Sequence, residues 1–349
     1  MPLSIIIPAH NQASELRRHL PAIMEQDCDD FEVIVVDVAS TDDTKNVLEE
    51  MELRYPDLRH TRTPATARDI SLERLALTLG IRSARNEWVV ITQANCQPAT
   101  PLWLQIMSQQ MTEDKGIVVG VAKYDEERHT WFDSKVSFFR LWNTLANLRH
   151  VRSGHAAVRA DACNLALRRS LFLSKDGLGD HLNLLTGAEE LLVNRLSTAK
   201  NTAICFSPDA IIIEDRLPAR RLWKKHRVFY METRRHQHHT HLFRFRQNLW
   251  LLMPWLLLMV LIALWPLLHH FLPQEDIAVD IITALAIILA LVALGVWIGN
   301  WNRAAHVIGY ERNYYLTLPL FTLELPFWNL SALLSHRLSS KTDFYKKFV

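Results

Sequence analysis

Trp88-Val-Val-Ile-Thr-Gln-Ala-Asn-Cys-Gln-Pro98 is the stretch on which the reading of this chain turns. A short apolar run, Trp88 to Ile91, stops abruptly in small polar groups, as a buried parallel strand does where it leaves a sheet. In an open α/β sheet, ligands bind in the crevice outside the carboxyl ends of the strands, so Gln93 and Asn95 stand at a binding position. Two aspartates there would form a clamp for a metal-bound diphosphate. Amides keep hydrogen-bonding capacity but lack the charge that holds a hard cation.

Upstream, Leu3 to Ile7 is a continuous apolar, β-branched run stopped by Pro8, with Pro8-Ala-His-Asn11 as its exit loop. Ser14 to Gln26 places Leu16, Leu20, Ile23 and Met24 on one helical face. Phe31 to Val36 is a second strand ending at Asp37, and Ser40-Thr-Asp-Asp43 opens a second helix. Leu72 to Ala84 has helical spacing and leads into the Trp88 strand. Strand alternating with helix is the rhythm of a doubly wound α/β sheet. Downstream, the pattern predicts a helix from Pro101 to Met111, a strand from Gly116 to Val121 and a helix from Asp133 to Arg149. Next come a strand and turn within Ala160–Leu173, a helix over Gly187–Ser197, and short strands at Ala203–Phe206 and Ala210–Glu214.

The 349 residues include 49% hydrophobic positions, unevenly spread. Residues 1–235 mix apolar and charged patches, whereas 249–300 are almost free of charge, which marks a soluble region followed by a membrane region. The expected division is a nucleotide-binding domain over 1–230, a basic juxtamembrane segment over 231–248 and a membrane region over 249–349. Spans are expected at 249–268 and 281–298, with the apolar segment 316–334 re-entrant or interfacial because Pro319, Glu324 and Pro326 interrupt it. The basic flank that includes Arg220, Arg221, Lys224 and Lys225 puts the start of the first span on the cytoplasmic side. The reading is therefore a multi-pass protein of the inner (cytoplasmic) membrane with its first domain in the cytoplasm. A formal charge of +2 with no basic stripe interleaved with aromatics argues against nucleic acid as a partner. Cys28, Cys96, Cys163 and Cys205 form no paired motif, so neither a zinc site nor a disulfide framework is indicated.

Ser4-Ile-Ile-Ile-Pro-Ala-His-Asn11, Val33-Ile-Val-Val-Asp37 with Ser40-Thr-Asp42, and Ile91-Thr-Gln-Ala-Asn-Cys-Gln-Pro98 together resemble the inverting family 2 glycosyltransferases. The likeness is to membrane-anchored bacterial members with a GT-A fold, and it continues through Arg74–Ile81, Trp103-Leu104, Asn164–Ala166 and Gly187-Ala-Glu-Glu-Leu191. The resemblance implies that Pro8, Ala9, His10 and Asp37 hold the nucleoside of a nucleotide-sugar donor, with Arg74 in the same donor site. Its metal-binding Asp-x-Asp corresponds to Gln93-Ala-Asn95, so Mn²⁺ or Mg²⁺ is the implied cofactor, held weakly here, and no metal ligand is assigned. Val38 stands where a second Asp is common. Glu190 corresponds to the carboxylate that deprotonates the acceptor hydroxyl, with Glu189 beside it.

The resemblance thus implies transfer of a sugar, with inversion, from a nucleotide-diphosphate donor to a lipid-linked or polysaccharide-precursor acceptor. The alternative is a pseudo-glycosyltransferase, a nucleotide-sensing or scaffolding partner of an active transferase. It follows from the neutral residues at Val38, Gln93, Asn95 and Ala188. Asp37, Asp42, Glu189 and Glu190 argue for the enzyme.

Overall fold

A computed structural model of the chain describes residues 1–63, 71–125, 130–175, 177–178, 183–215, 217–238, 240–271 and 277–345. The chain forms two compact units, Met1–His238 with Ser331–Val349, and His239–Leu330.

The first unit begins with β1 (Leu3–Ala9), α1 (Ala13–Met24), β2 (Phe31–Asp37), α2 (Thr44–Arg54), β3 (Leu58–Arg62), α3 (Leu72–Ser83) and β4 (Trp88–Ile91). Both faces of β1 are buried, and the strand alternation sorts its side chains between two cores. Ile5 and Ile7 pack with Leu16, Leu20 and Ile23 of α1 and Val47 of α2. Ile6 faces the other way, with Ala76, Leu77 and Ile81 of α3. That close approach needs Gly80, since a Cβ there would lie 2.4 Å from the Ile6 Cγ2.

Next come β5 (Cys96–Pro98), α4 (Trp103–Ser108), β6 (Ile117–Val119), β7 (Ala122–Tyr124), α5 (Trp131–Arg152), β8 (Leu165–Arg168) and α6 (Arg169–Ser174). They are followed by α7 (Ala188–Leu196), β9 (Thr202–Ile204), β10 (Ile212–Glu214) and α8 (Arg220–Thr233). The main sheet has the order β3-β2-β1-β4-β8-β6-β9, and a small sheet the order β5-β10-β7. Parallel pairing sets Ala9 opposite Asp37 and Ile6 opposite Ile91. The loops after β1, β2 and β4 therefore leave at one edge, as the sequence pattern predicts. β8 runs antiparallel between β4 and β6. The strand and turn expected within Ala160–Leu173 are thus a strand followed by the short helix α6.

Asn164 joins the two sheets. Its amide nitrogen donates to the carbonyls of Val121 (2.8 Å) and Ala210 (2.9 Å), and its oxygen accepts from the Trp103 indole (3.1 Å). The residue is fully buried, and a Cβ at Gly120 would lie 2.3 Å from its Cγ.

The first unit runs past the boundary expected at 230. α8 continues to Thr233, and Asn194 of α7 exchanges hydrogen bonds with the His238 backbone, accepting at 2.7 Å and donating at 3.1 Å. The end of the chain belongs to the same unit: Leu184 bridges to Tyr345, and the Leu185 N–H donates to the Phe344 carbonyl at 3.1 Å.

The second unit contains α9 (His241–Phe271), α10 (Ile277–Val307) and most of α11 (Thr317–Leu338). Two stretches, His241–Leu264 and Asp280–Val307, are long and apolar enough to cross a membrane. Within the apolar segment 316–334, residues 317–334 belong to one helix, continuous across Pro326. Residues 272–276, between α9 and α10, lie outside the described residues.

Asn164→Ala would take their Asn164 partner from the Trp103 indole N–H and the buried Ala210 carbonyl, while the Val121 carbonyl keeps the Ile212 N–H at 3.1 Å. The expected loss is roughly 2 kcal/mol or more, at about 1–3 kcal/mol per orphaned group, and it is read as a lower unfolding midpoint of the purified chain.

Candidate active site

Two cavities in the first unit meet at the carboxyl edge of β1 and β4. One, of about 470 Å³, is lined by Pro8, Ala9, His10, Gln12, Val38, Ser71, Leu72, Glu73, Gln93 and Leu185. His10 is fixed by its backbone neighbour: Nδ1 lies 2.6 Å from the Val38 carbonyl, which only accepts, so the proton is on Nδ1. Nε2 faces the Asn11 amide nitrogen at 3.3 Å.

Asp37 is not among the residues lining either cavity. It is 2% exposed, accepts from the Ser40 N–H at 2.9 Å and lies 3.3 Å from Arg62 Nε. It shapes the loop that carries Val38. Arg74 lines neither of the two, although the 1% exposed side chain holds the wall they share. Its Nε donates to the Leu184 carbonyl (2.8 Å) and its Nη2 to the Thr186 carbonyl (2.7 Å). The hydrogen bond from Leu185 to Phe344 fixes the same loop from the other side.

The second cavity, of about 440 Å³, shares Glu73 and Gln93 with the first. Both predicted carboxylates, Glu189 and Glu190, line it, in the first turn of α7, where the helix N-terminus favours negative charge. That helix starts at Gly187 with φ of 75°, and a Cβ there would meet the Thr233 side chain at 2.4 Å. Glu190 is held by Arg159 at 2.7 Å, and the Arg159 guanidinium sits 4.4 Å from the Tyr230 ring centroid. Burial, followed by the nearby Glu73 carboxylate, pushes the Glu189 carboxyl up to about 8, against the pull of Arg74.

The far wall is aromatic and cationic. Arg227 lies over the rings of Phe139 (4.6 Å) and Trp223 (4.9 Å), and burial pulls its guanidinium down to about 10. Burial also lowers the His226 imidazole, followed by the effect of Lys225.

A third group of residues was not anticipated from the sequence. Arg140 of α5 donates from Nε (2.8 Å) and Nη2 (2.7 Å) to the two oxygens of Asp161, and from Nη1 to Glu214 (2.7 Å). Its guanidinium lies 4.3 Å from the Tyr124 ring centroid. The sole trace in the sequence is a charge set among bulky apolar residues, Phe138-Phe-Arg-Leu-Trp142. The partners come from loop and strand positions far along the chain.

Gln93 and Asn95 part company here. Gln93 lines both cavities, whereas the Asn95 amide nitrogen donates to Glu214 at 3.3 Å and lines neither.

Residues 4–171 match the family described as Glycosyl transferase family 2. Over 135 residues the chain is 30% identical to a chondroitin synthase of Escherichia coli, covering 38% of this chain and 19% of that protein. Over 122 residues it is 31% identical to the uncharacterized glycosyltransferase YfnE of Bacillus subtilis (strain 168), covering 35% of this chain and 30% of that protein. The chain thus spans less than a third of the length of these curated relatives. Among solved structures, the mannosyltransferase PcManGT from Pyrobaculum calidifontis, in complex with GDP-Man and Mn²⁺, aligns with a TM-score of 0.59 at 18% identity. That alignment covers 96% of this chain and 86% of the other, and it shows a shared fold. The first unit thus shares the GT-A type of mixed α/β fold. Its residues 4–171 form a family 2 glycosyltransferase domain.

The donor set at the place of the family's metal does not fit a hard divalent cation. Gln93 and Asn95 are neutral amides, and the nearby carboxylates of Asp161 and Glu214 are turned onto Arg140. Among the described residues, no group of three or more His, Cys, Asp or Glu is placed to hold a metal ion.

The raised pKa of Glu189 has a thermodynamic sign. Between its ordinary 4.5 and about 8, the folded chain holds a proton that the unfolded chain has released, so stability falls as pH rises through that window. Glu189→Gln is expected to flatten this slope, measured as unfolding midpoints from about pH 5 to about pH 8.

Proposed function

We propose that this chain is a membrane-anchored hexosyltransferase of polysaccharide biosynthesis. It would move a sugar from a nucleotide-diphosphate donor to a lipid-linked or polysaccharide-precursor hydroxyl, with inversion. The observation that carries the reading is the meeting of two cavities at Gln93 and Glu73, one at the strand ends and one lined by the paired carboxylates of α7. Pro8, Ala9, His10 and Gln12 bound a space suited to a nucleoside, with the His10 ring as a stacking face. Gln93 stands where the diphosphate passes from one cavity to the other, and its amide can donate to phosphate oxygens. Asp37 and Arg74 serve the donor site from behind, by shaping the loops that line it.

Glu190 is the base in this reading, oriented by Arg159. It takes the proton of the acceptor hydroxyl as that oxygen forms a bond to the anomeric carbon. The bond from that carbon to the diphosphate breaks on the opposite face, so the configuration inverts in one displacement. Glu189, largely protonated at neutral pH, supplies a hydrogen-bond donor to the same cavity. Trp223, Phe139 and Tyr230 offer ring faces against which a sugar acceptor packs.

Anchoring is supported by the apolar side chains that α10 turns outward, including Ile281, Ile282, Leu285, Leu289 and Val292, each more than half exposed. With the basic residues preceding α9, the positive-inside rule assigns the transferase domain to the cytoplasmic face of the inner membrane, with more than one span. An acceptor carried on a lipid would then meet the site in the plane of the membrane.

The test is release of UDP or GDP from their common sugar conjugates by the detergent-purified chain. Glu190→Gln is expected to lower kcat by about 10²–10⁴-fold with little change in KM. Donor binding without turnover by the unaltered chain would instead support a nucleotide-sensing or scaffolding partner of another transferase.

A further inference from the structure

We propose that Arg140 is the built-in cation of this transferase, standing in for a divalent metal at the diphosphate corner, so that donor binding needs no metal ion. The inference rests on the donor site proposed above. It is carried by the placement of the guanidinium relative to Gln93 and Asn95. The Cys163 thiol lies 3.7 Å from Arg140 Nη2 and 3.9 Å from Gln93 Oε1. The Glu214 carboxylate takes one oxygen to Arg140 Nη1 and the other to the Asn95 amide. Each amide is therefore one group away from the guanidinium, which lines the second cavity together with Gln93, while Asn95 lies behind that wall.

The surroundings hold Arg140 as a fixed charge. Its side chain is 11% exposed, and it carries five N–H donors. Two bond Asp161, one bonds Glu214 and one meets the weakly accepting Cys163 sulfur, which a phosphate oxygen would readily replace. The fifth, the second hydrogen of Nη1, remains for a ligand. A guanidinium is a permanent cation whose planar fork matches two oxygens of a phosphate, and its strength grows where water is excluded. Arg140, Arg159 and Arg227 line the cavity with five carboxyl groups, Glu73, Asp161, Glu189, Glu190 and Glu214, and burial favours the neutral form of Glu73 and Glu189, which moderates the negative charge the guanidiniums face.

The alternative account of Arg140 is a buried ion pair that only supports the fold, and a charge-balanced variant separates the two. Arg140→Gln combined with Asp161→Asn removes one charge of each sign; Glu214 loses its guanidinium but keeps the Asn95 amide at 3.3 Å. Calorimetric titration of the purified full chain is done with UDP and GDP, each in EDTA and in MnCl₂, and with uridine and guanosine. The expected result is diphosphate affinity equal within about twofold with and without Mn²⁺, and weakened about tenfold or more in the double variant. Nucleoside affinity should be retained in that variant, which also shows that it folds. A tenfold or greater tightening by Mn²⁺ in the unaltered chain would overturn the inference, whether or not the variant folds. So would unchanged diphosphate binding by the double variant. Failure of every nucleotide and nucleoside to bind the unaltered chain would overturn the donor site itself, and this inference with it.

Discussion

The burial of β1 on both faces is the constraint from which the rest of the first unit follows. A strand with Ile5 and Ile7 on one side and Ile6 on the other needs a helical layer on each, and α1 and α3 supply them. Parallel pairing on both of its edges then sends three loops out at one end of the sheet. The first cavity opens among those loops. Its position is a consequence of packing and requires no separate device.

Charge is distributed in the same economical way. Arg74, Arg140 and Arg159 are all largely buried, and each contacts a carboxylate or a backbone carbonyl at hydrogen-bond distance. Buried ion pairs contribute little net stability compared with apolar packing of the same volume. The placing of Arg140 and Arg159 on one cavity therefore fits a site built to receive charge. Arg140 and Arg159 face into that cavity, whereas Arg74 grips the loop that precedes α7. That loop is gripped a second time by the end of the chain. Tyr345 and His336 both bond Glu232 of α8, at 2.7 and 2.6 Å, while Phe344 meets Leu185.

The candidate site is partly legible in the sequence, chiefly through the family resemblance. Pro8, Ala9 and His10, the loop after a continuous apolar strand, line the first cavity, and Glu189 and Glu190 line the second. Gln93 was singled out because a strand ends just before it, and it stands where the cavities meet. Asn95 and Asp37 have the same local signature, but their side chains are turned to Glu214 and to Ser40 and Arg62. Position after a strand places a residue at the rim, while the direction of its side chain depends on which neighbours reach it first.

The sequence by itself determined the alternation of strands and helices, the family 2 motifs and the apolar helices of the second unit. These are local: periodicity, breakers and run length act within about ten to twenty residues. Only the tertiary structure decided that Arg140 lies between Asp161 and Glu214, partners 21 and 74 positions away. It also decided that Arg74 holds a loop 110 positions on, and that Tyr345 returns to Glu232. A lone arginine in an apolar helix carries no record of the carboxylate that will meet it. That pairing is set by the packing of α5 against the small sheet, because a buried charge is tolerated only where the fold brings it a partner.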